Sequence, residues 1–422
     1  MNYVIIGNAA AAVGCVEGIR QIDGKGKITV ISAEPYHTYS RPLISYLLMG
    51  ATTEERMNYR PSDFYKKNKC TLLKGRTAEK IDAAAKTVVL DGGETLAYDK
   101  LLVAAGSRPF VPPMEGLESL GGSFTFMTLE SAKKLGKVLS RKKRVLIIGA
   151  GLIGMKCAEG IAERCGSVTV VEMAPRVLPA VLDAEGAAII QKQMESRGIS
   201  FILGDSVKRF SSDGTTYGGK ALLNGGSEIA FDVLVTAVGV RPNTALVSDA
   251  GGDVGKGITV DSCCRTSLPD VFAAGDCTES DDITCAQRRI LALLPNAYMQ
   301  GETAGIVMAS GTASYDNAMP VNAAGFFGLH LVTAGSYTGE TLDVPAPGCA
   351  YRRFFVQDDL LKGFIIIGDT DRAGIYTSLI RNKVPLSSID FELIKIHPAL
   401  MAFGKAKRAE MLSAAAPAEE GA

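Results

Sequence analysis

The sequence predicts an α/β fold, with two Rossmann-like dinucleotide-binding domains followed by a smaller α+β domain. Three observations predict it. A strand–turn–helix–strand pattern with small residues at fixed spacing occurs twice, starting near Tyr3 and near Val145. After each copy comes an apolar strand with the same ending, Gly106-Ser107-Arg108-Pro109 and Gly239-Val240-Arg241-Pro242. From about Pro320 the texture changes, and residues 349–370 alternate as antiparallel strands do. At 422 residues the chain is too long for one hydrophobic core.

In chain order, Tyr3 to Ile6 is an apolar run suited to a strand buried on both faces. Gly7-Asn8-Ala9-Ala10-Ala11-Ala12 then occupies the turn into a helix. Glycine holds the first position of G-x-G-x-x-G; Ala9 and Ala12 hold the second and third. Alanine is usual at the third. At the second it adds a methyl where backbone should meet phosphate. Ile28 to Ser32 is the second strand, and Glu34 at its end is placed for a ribose hydroxyl pair. Pro35 to Pro42 reads as a loop and Leu43 to Met49 as a helix. Thr87 to Leu90 and Thr95 to Tyr98 flank Asp91-Gly92-Gly93, which predicts a hairpin. Asp99 to Pro109 is the first of the matched strands.

The second copy is more complete. Val145 to Ile148 is a buried strand, and Gly149-Ala150-Gly151-Leu152-Ile153-Gly154 matches G-x-G-x-x-G in full. Gly149 permits the tight turn, Gly151 lets backbone approach a pyrophosphate, and Gly154 lets the helix pack close on the sheet. The helix N-terminus faces the phosphates. Val168 to Val171 is the next strand, ending at Glu172. The competing reading is a plain βαβ turn without ligand. Strands, helix and terminal acid are all in register, which favours the nucleotide.

Leu268 to Asp276 reads as a strand ending at Gly275-Asp276, and Gln287 to Ala309 as helical after Pro295. Residues 349–370 would turn around Lys362-Gly363, and Ala373 to Arg381 would be a helix. The tail after about Lys405 is small and polar and is expected to fray.

Composition narrows the function. Lys+Arg 45 balance Asp+Glu 45, so the chain as a whole carries no nucleic-acid signature. No apolar run reaches membrane-span length, and the N-terminus enters a strand at once, leaving no room for a signal peptide. The expectation is a cytoplasmic protein without a membrane contact. Nine cysteines lack any C-x-x-C pair, and three histidines are scattered, so neither a disulfide framework nor a metal site is predicted.

Together these residues resemble the pyridine-nucleotide-disulfide oxidoreductases, flavoproteins with two dinucleotide-binding domains. The resemblance spans nearly the whole chain. It rests on both turns, both Gly-x-Arg-Pro ends and Ala273-Ala274-Gly275-Asp276. Within that family the chain is most similar to the rubredoxin-reductase, ferredoxin-reductase and nitrite-reductase flavodomain branch. Arg41-Pro42-Leu43 and the runs QRRILALLPNAYMQGE and GFIIIGDTDRAGIYTSLIR carry the narrower match. The resemblance implies FAD on residues 1–112 with 242–318, and NAD(P)H on 113–241. It also implies an α+β interface domain over 319–400 that forms a homodimer contact, leaving 401–422 as a tail.

Carried over by position, Gly7, Ala9 and Ala12 would face the FAD pyrophosphate, and Glu34 the adenosine ribose. Arg41 and Pro42 would lie along the cofactor, and the Ala78 backbone would meet the adenine. Ala105, Gly106 and Arg108 would border the same cofactor. Asp276, beside Gly275, would bond a ribityl hydroxyl. Asn296 and Ala297, at a helix start, would offer N–H groups to the flavin edge where charge develops. Gly149, Gly151, Ile153, Gly154 and Glu172 would hold the nicotinamide nucleotide, with Gly239 at the paired strand end. Plainer readings stay open, with Arg41 as a surface ion pair and Asp276 as a helix cap.

Two departures from the family pattern matter. Disulfide reductases carry a redox cysteine on the helix after the first βαβ unit, but Arg41 to Met49 has none. Cys15 reads as a core residue. Cys263-Cys264, adjacent on an expected strand, would point to opposite faces and stay unbridged. Related ferredoxin reductases also pair a lysine on that helix with a glutamate after the second glycine turn, near the flavin. Here Tyr46 stands at the lysine position and Lys156 at the glutamate position. The coupled change would leave Lys156 as a lone catalytic cation facing the flavin; the plainer alternative is a solvated lysine.

The resulting expectation is an FAD-dependent NADH:acceptor oxidoreductase. Its acceptor would be a rubredoxin, a ferredoxin or an iron–sulfur partner subunit. The sequence has no appended cysteine-rich segment, which puts any iron–sulfur centre on another chain. The rivals are an NADH oxidase reducing dioxygen and a non-catalytic flavoprotein subunit of a larger complex. Glu172 favours NADH over NADPH because a 2′-phosphate would meet like charge; Arg176, four residues on, could offset it.

Overall fold

The structure is a computed structural model that describes residues 1–399, 403, 404, 408 and 409, apart from 286, 346 and 347. The tail expected over 401–422 therefore lies almost wholly outside the described residues. The chain divides into two compact units, Met1–Asp282 with Ala286–Ala318, and Ile283–Cys285 with Met319 onward.

The first unit begins with β1 (Asn2–Ile6), α1 (Ala10–Ile22), β2 (Lys27–Ser32), α2 (Ile44–Met49), β3 (Cys70–Lys74) and β4 (Lys100–Val103). It continues through α3 (Leu129–Val138), β5 (Arg144–Ile148), α4 (Leu152–Ile161), β6 (Ser167–Glu172), β7 (Ile199–Leu203) and β8 (Val233–Thr236). It closes with β9 (Val271–Ala273) and α5 (Leu294–Met308). One parallel sheet has the order β9-β4-β1-β2-β3, and a second has the order β7-β6-β5-β8. The central strands are buried along almost their whole length, as the short apolar runs require. Each copy carries a three-stranded antiparallel excursion. In the first, Ala78–Asp82 adds to the expected hairpin of Thr87–Leu90 and Thr95–Ala97.

The two Gly-x-Arg-Pro ends meet. Ser107–Pro109 pairs antiparallel with Val240–Pro242, setting Arg108 opposite Arg241. Like charges opposite one another repel, and here the side chains part. Arg108 donates to Asn243 Oδ1 at 3.1 Å, and Arg241 lies 4.2 Å over the Phe110 ring.

Helices α1 and α5 touch backbone to backbone. A Cβ on Gly14 would stand 2.2 Å from Tyr298 O, and one on Gly18 2.3 Å from Glu302 O. From the other helix, a Cβ on Gly301 would stand 1.9 Å from Ala11 O, and one on Gly305 2.2 Å from Cys15 O. The crossing brings the two helix N-termini together. Helix α2 packs against α3 and α4.

The second unit is an antiparallel sheet with a helix. Its strands are β10 (Val321–Phe326), β11 (Leu329–Gly335), β12 (Glu340–Asp343), β13 (Cys349–Gln357) and β14 (Leu360–Gly368), in the order β10-β11-β14-β13-β12. Helix α6 (Gly374–Arg381) follows. Phe354, Phe364 and Tyr376 form its core. The β13–β14 turn falls at Asp358-Asp359, not at Lys362-Gly363, because both aspartates adopt positive φ (54° and 57°), as a two-residue hairpin loop requires. Gly363 sits inside β14, where a Cβ would stand 2.2 Å from Ser336 O.

Two further expectations change. Cys263 and Cys264 lie in a turn rather than a strand, both as free thiols. Asp276 caps no helix, since the next element is the strand Thr278–Asp282.

Candidate functional site

The first glycine turn bends for a visible reason. Gly7 has φ +114°, and a Cβ there would stand 2.1 Å from Ala104 O. At the second position, Ala9 has φ −111°, an extended conformation that alanine adopts without strain. The same position in the second copy, Gly151, has φ −73°. Neither site needs glycine for its backbone angle, which explains why alanine stands in the first. Ala12 is buried within α1.

Beyond this turn lies a cleft of about 410 Å³, within the range of small-molecule sites. Gly7, Ala9, Glu34, Arg41, Ala78, Ala105, Gly106, Arg108, Gly275, Asp276 and Ala297 all line it. The 1–34 turn, the 78 excursion, the first Gly-x-Arg-Pro end, the Gly-Asp strand end and the start of α5 thus meet at one cavity. Ala12, Pro42 and Asn296 do not line it. Pro42 is exposed in a short 3-10 turn, and Asn296 is buried with its Oδ1 accepting the Tyr315 hydroxyl at 2.6 Å.

The cleft suits a long ligand with an anionic centre. The N-termini of α1 and α5 both border it, through Ala10, Ala11, Leu294 and Ala297, and neither helix has an acidic residue in its first turn. The positive ends of both helix dipoles are therefore available to an anion, but the Ala297 N–H expected to serve the flavin edge is already donated to Leu293 O at 2.9 Å. Gly106 is left-handed (φ +64°) and has open space where a Cβ would be, so backbone and ligand can approach there. Burial pushes the Asp276 carboxyl above its ordinary value, and the nearby Arg41 charge opposes this. The residues fit a bound dinucleotide.

Sequence reasoning missed part of the lining. Tyr36, His37, Tyr39, Arg76, Met127 and Asn243 border the same cavity. Glu34 is not free: Arg41 Nη2 reaches its Oε1 at 2.6 Å and the Tyr39 hydroxyl donates to its Oε2 at 2.7 Å. Arg41 is thus both an ion-pair partner and a lining residue. The spacing Glu34, Tyr39, Arg41 was visible, but nothing in it showed that the loop folds back on the strand end.

In the second copy, Gly149 has φ +103° and a Cβ there would stand 2.5 Å from Ala237 O. A Cβ on Gly154 would stand 2.0 Å from Gly149 O. Gly151 and Gly239 have nothing within 4 Å of that position, so both leave room for a ligand. Ile153 lies in the first turn of α4, beside Gly151. Glu172 is fixed by two backbone donors, Ala150 N and Ala174 N, each at 2.8 Å. Arg176 points elsewhere, donating to Leu182 O at 3.2 Å and Pro179 O at 3.3 Å.

Lys156 departs from expectation. It is neither a lone cation nor solvated. Its ammonium is bonded to the Glu159 carboxylate and lies 4.4 Å over the Tyr46 ring. The lysine side chain is 17% exposed and the glutamate 3%. The two substituted positions, 46 and 156, do meet, at the crossing of α2 and α4. They do so in a cation–π contact with a buried counter-ion, outside the cleft lining.

Among the described residues, no group of His, Cys, Asp and Glu could hold a metal, and no helix is long and apolar enough to cross a membrane.

A sequence model of the pyridine nucleotide-disulphide oxidoreductase family matches residues 1–301. The chain is 30% identical to the NADH-dependent phenylglyoxylate dehydrogenase subunit epsilon of Aromatoleum evansii, over 92% of this chain and 93% of that one. It is 29% identical to the assimilatory nitrate reductase electron transfer subunit of Bacillus subtilis (strain 168), over 90% of this chain and 49% of that protein, so it spans about half of that relative. A chain in the crystal structure of the covalent putidaredoxin reductase–putidaredoxin complex has the same fold, with a TM-score of 0.84 at 24% identity and 98% of both chains covered.

Proposed function

We propose a function from one premise: the chain belongs to the pyridine nucleotide-disulphide oxidoreductase family. It is an oxidoreductase and flavoprotein that binds FAD and NAD(H). The finer reading is an NADH:acceptor reductase whose electrons leave to a small redox protein or an iron–sulfur partner subunit.

The observation that carries this reading is the absence of a thiol where the two nucleotide sites adjoin. Helix α2 follows Arg41 of the cleft and crosses α4 of the second site, and it contains no cysteine. Among the described residues, none of those lining the cleft is a cysteine. No described residue there can serve as a dithiol relay, and a carrier outside the chain suits the electron exit. The relatives agree in kind, one being a subunit of an NADH-dependent dehydrogenase and the other an electron transfer subunit.

The chain's own residues have defined tasks. Gly7, Ala9 and the start of α1 would hold the FAD pyrophosphate, Glu34 the adenosine ribose, and Asp276 and Ala297 the flavin half. Gly151 and Glu172 would hold NADH through its pyrophosphate and ribose. When bound, FAD supplies the chemistry, accepting hydride from the nicotinamide and releasing electrons singly. The protein supplies position and electrostatics.

The test reduces the flavin anaerobically and then compares reoxidation by an oxidised carrier with reoxidation by air. NADH should bleach the flavin, and added ferredoxin or rubredoxin should restore its colour faster than air does. Bleaching followed by rapid reoxidation in air, with no response to either carrier, would instead favour an oxidase. No bleaching at all would favour a non-catalytic subunit.

A further inference from the structure

Glu34 sits in a chain of hydrogen bonds that reaches well beyond the βαβ unit. The Tyr39 hydroxyl donates to Glu34 Oε2 at 2.7 Å and accepts the backbone N–H of Leu129 at 2.9 Å. Leu129 is the first residue of α3, so this N–H has no partner within its own helix. Arg41 runs in parallel, with Nη2 on Glu34 Oε1 at 2.6 Å and Nη1 on Met127 O at 3.2 Å. Glu34, Tyr39, Arg41 and Met127 all line the cleft. Tyr39 is itself anchored, by a backbone bridge to Asn58 and by an edge contact with Tyr36.

We infer that Tyr39 is a positioning residue for the adenosine ribose of FAD, acting through Glu34 and backed by the start of α3. The inference rests on the FAD assignment proposed above. A carboxylate offers about four lone-pair directions. Tyr39 and Arg41 take one on each oxygen, which fixes the plane of the group and leaves two directions for the ribose hydroxyl pair. The helix N–H on the Tyr39 oxygen polarises its O–H and strengthens the bond to Glu34. Without the tyrosine hydroxyl, Arg41 alone holds the carboxylate and its orientation is lost. The segment at 127–129, read from the sequence as part of the second domain, thereby becomes part of the first nucleotide site.

The experiment is reconstitution of apoprotein with FAD or FMN, followed by quenching of flavin fluorescence. FMN lacks the adenosine, so the two flavins separate an adenosine effect from a general one. Tyr39→Phe should weaken FAD about tenfold, the loss of one hydrogen bond to a charged group, and leave FMN within about twofold. In a Glu34→Ala background, the Tyr39→Phe effect on FAD should shrink below about twofold, because the residue it acts through is gone. Equal weakening of both flavins overturns the inference, as does an unchanged FAD affinity or a Tyr39 effect that persists undiminished without Glu34. A wild-type protein that takes up no flavin would instead sink the FAD assignment, leaving no adenosine effect to measure.

Discussion

Lys156 shows how a buried charge takes its meaning from its neighbours. Its ammonium is shared between the buried Glu159 carboxylate and the face of Tyr46. Lys156→Met keeps the apolar stem but removes the counter-ion of a buried carboxylate. Breaking such a pair from one side costs roughly 3–5 kcal/mol, whereas replacing both members with apolar residues of similar volume is near neutral. We expect Lys156→Met to lower Tm clearly and Lys156→Met/Glu159→Leu to recover most of the loss. A single variant that melts with the wild type would mean the pair contributes nothing. Glu172 is the other informative acid. Its carboxylate is pinned by Ala150 N and Ala174 N, and Arg176 is engaged by carbonyls. A 2′-phosphate at ~4 Å would be repelled by ~4 kcal/mol per unit charge pair at an effective dielectric near 20, before relaxation. kcat/KM should therefore favour NADH over NADPH, and Glu172→Gln should narrow the ratio. Parity in the wild type would contradict this.

Among the elements, the α1–α5 crossing decides where the site can form. Gly14 and Gly18 on α1 lie against Tyr298 and Glu302 of α5, Gly301 and Gly305 on α5 lie against Ala11 and Cys15 of α1, and backbone meets backbone at each. Both helices then begin at the cleft. Gly301→Ala would place a Cβ 1.9 Å from Ala11 O, and backbone cannot yield as a flexible side chain can. A cost of about 3 kcal/mol or more is expected, with loss of bound flavin in the purified protein. Normal flavin content and an unshifted Tm would refute it. The two βαβ units were legible because buried parallel strands are short apolar runs and the turn glycines have fixed spacing. The helix crossing was not legible, although both G-x-x-x-G spacings were in plain view. Such spacing acquires meaning only when a partner helix is known, and the partner comes from the far end of the unit. Glu159 was missed because an acid inside a helix ordinarily faces water. The turn at Asp358-Asp359 was missed because Gly363, a stronger turn signal, lies four residues on, where packing against Ser336 O requires it.

For the whole molecule, the question is how electrons leave, and the cysteines bear on it most directly. Cys15, Cys157, Cys165, Cys264 and Cys277 are buried. Burial pushes the Cys165 thiol up to about 11 and Cys277 to about 12, and raises Cys15, Cys157 and Cys264 as well. The thiolate is the reactive form, so these groups are inert near neutral pH. Cys70 is partly exposed, but burial still lifts it to about 11. Cys263 and Cys285 are also partly exposed, and neither lines the cleft. Among the described residues, a thiol relay thus has no member beside the site. Anaerobic titration should consume about one NADH per FAD, with no long-wavelength charge-transfer band from a thiolate. N-ethylmaleimide applied to the native holoenzyme should label only partly exposed thiols and leave NADH-driven carrier reduction intact. A second two-electron equivalent in the titration would reveal a redox-active cysteine pair. Inhibition by the reagent that Cys263→Ser relieves would place that pair in the turn at 263–264.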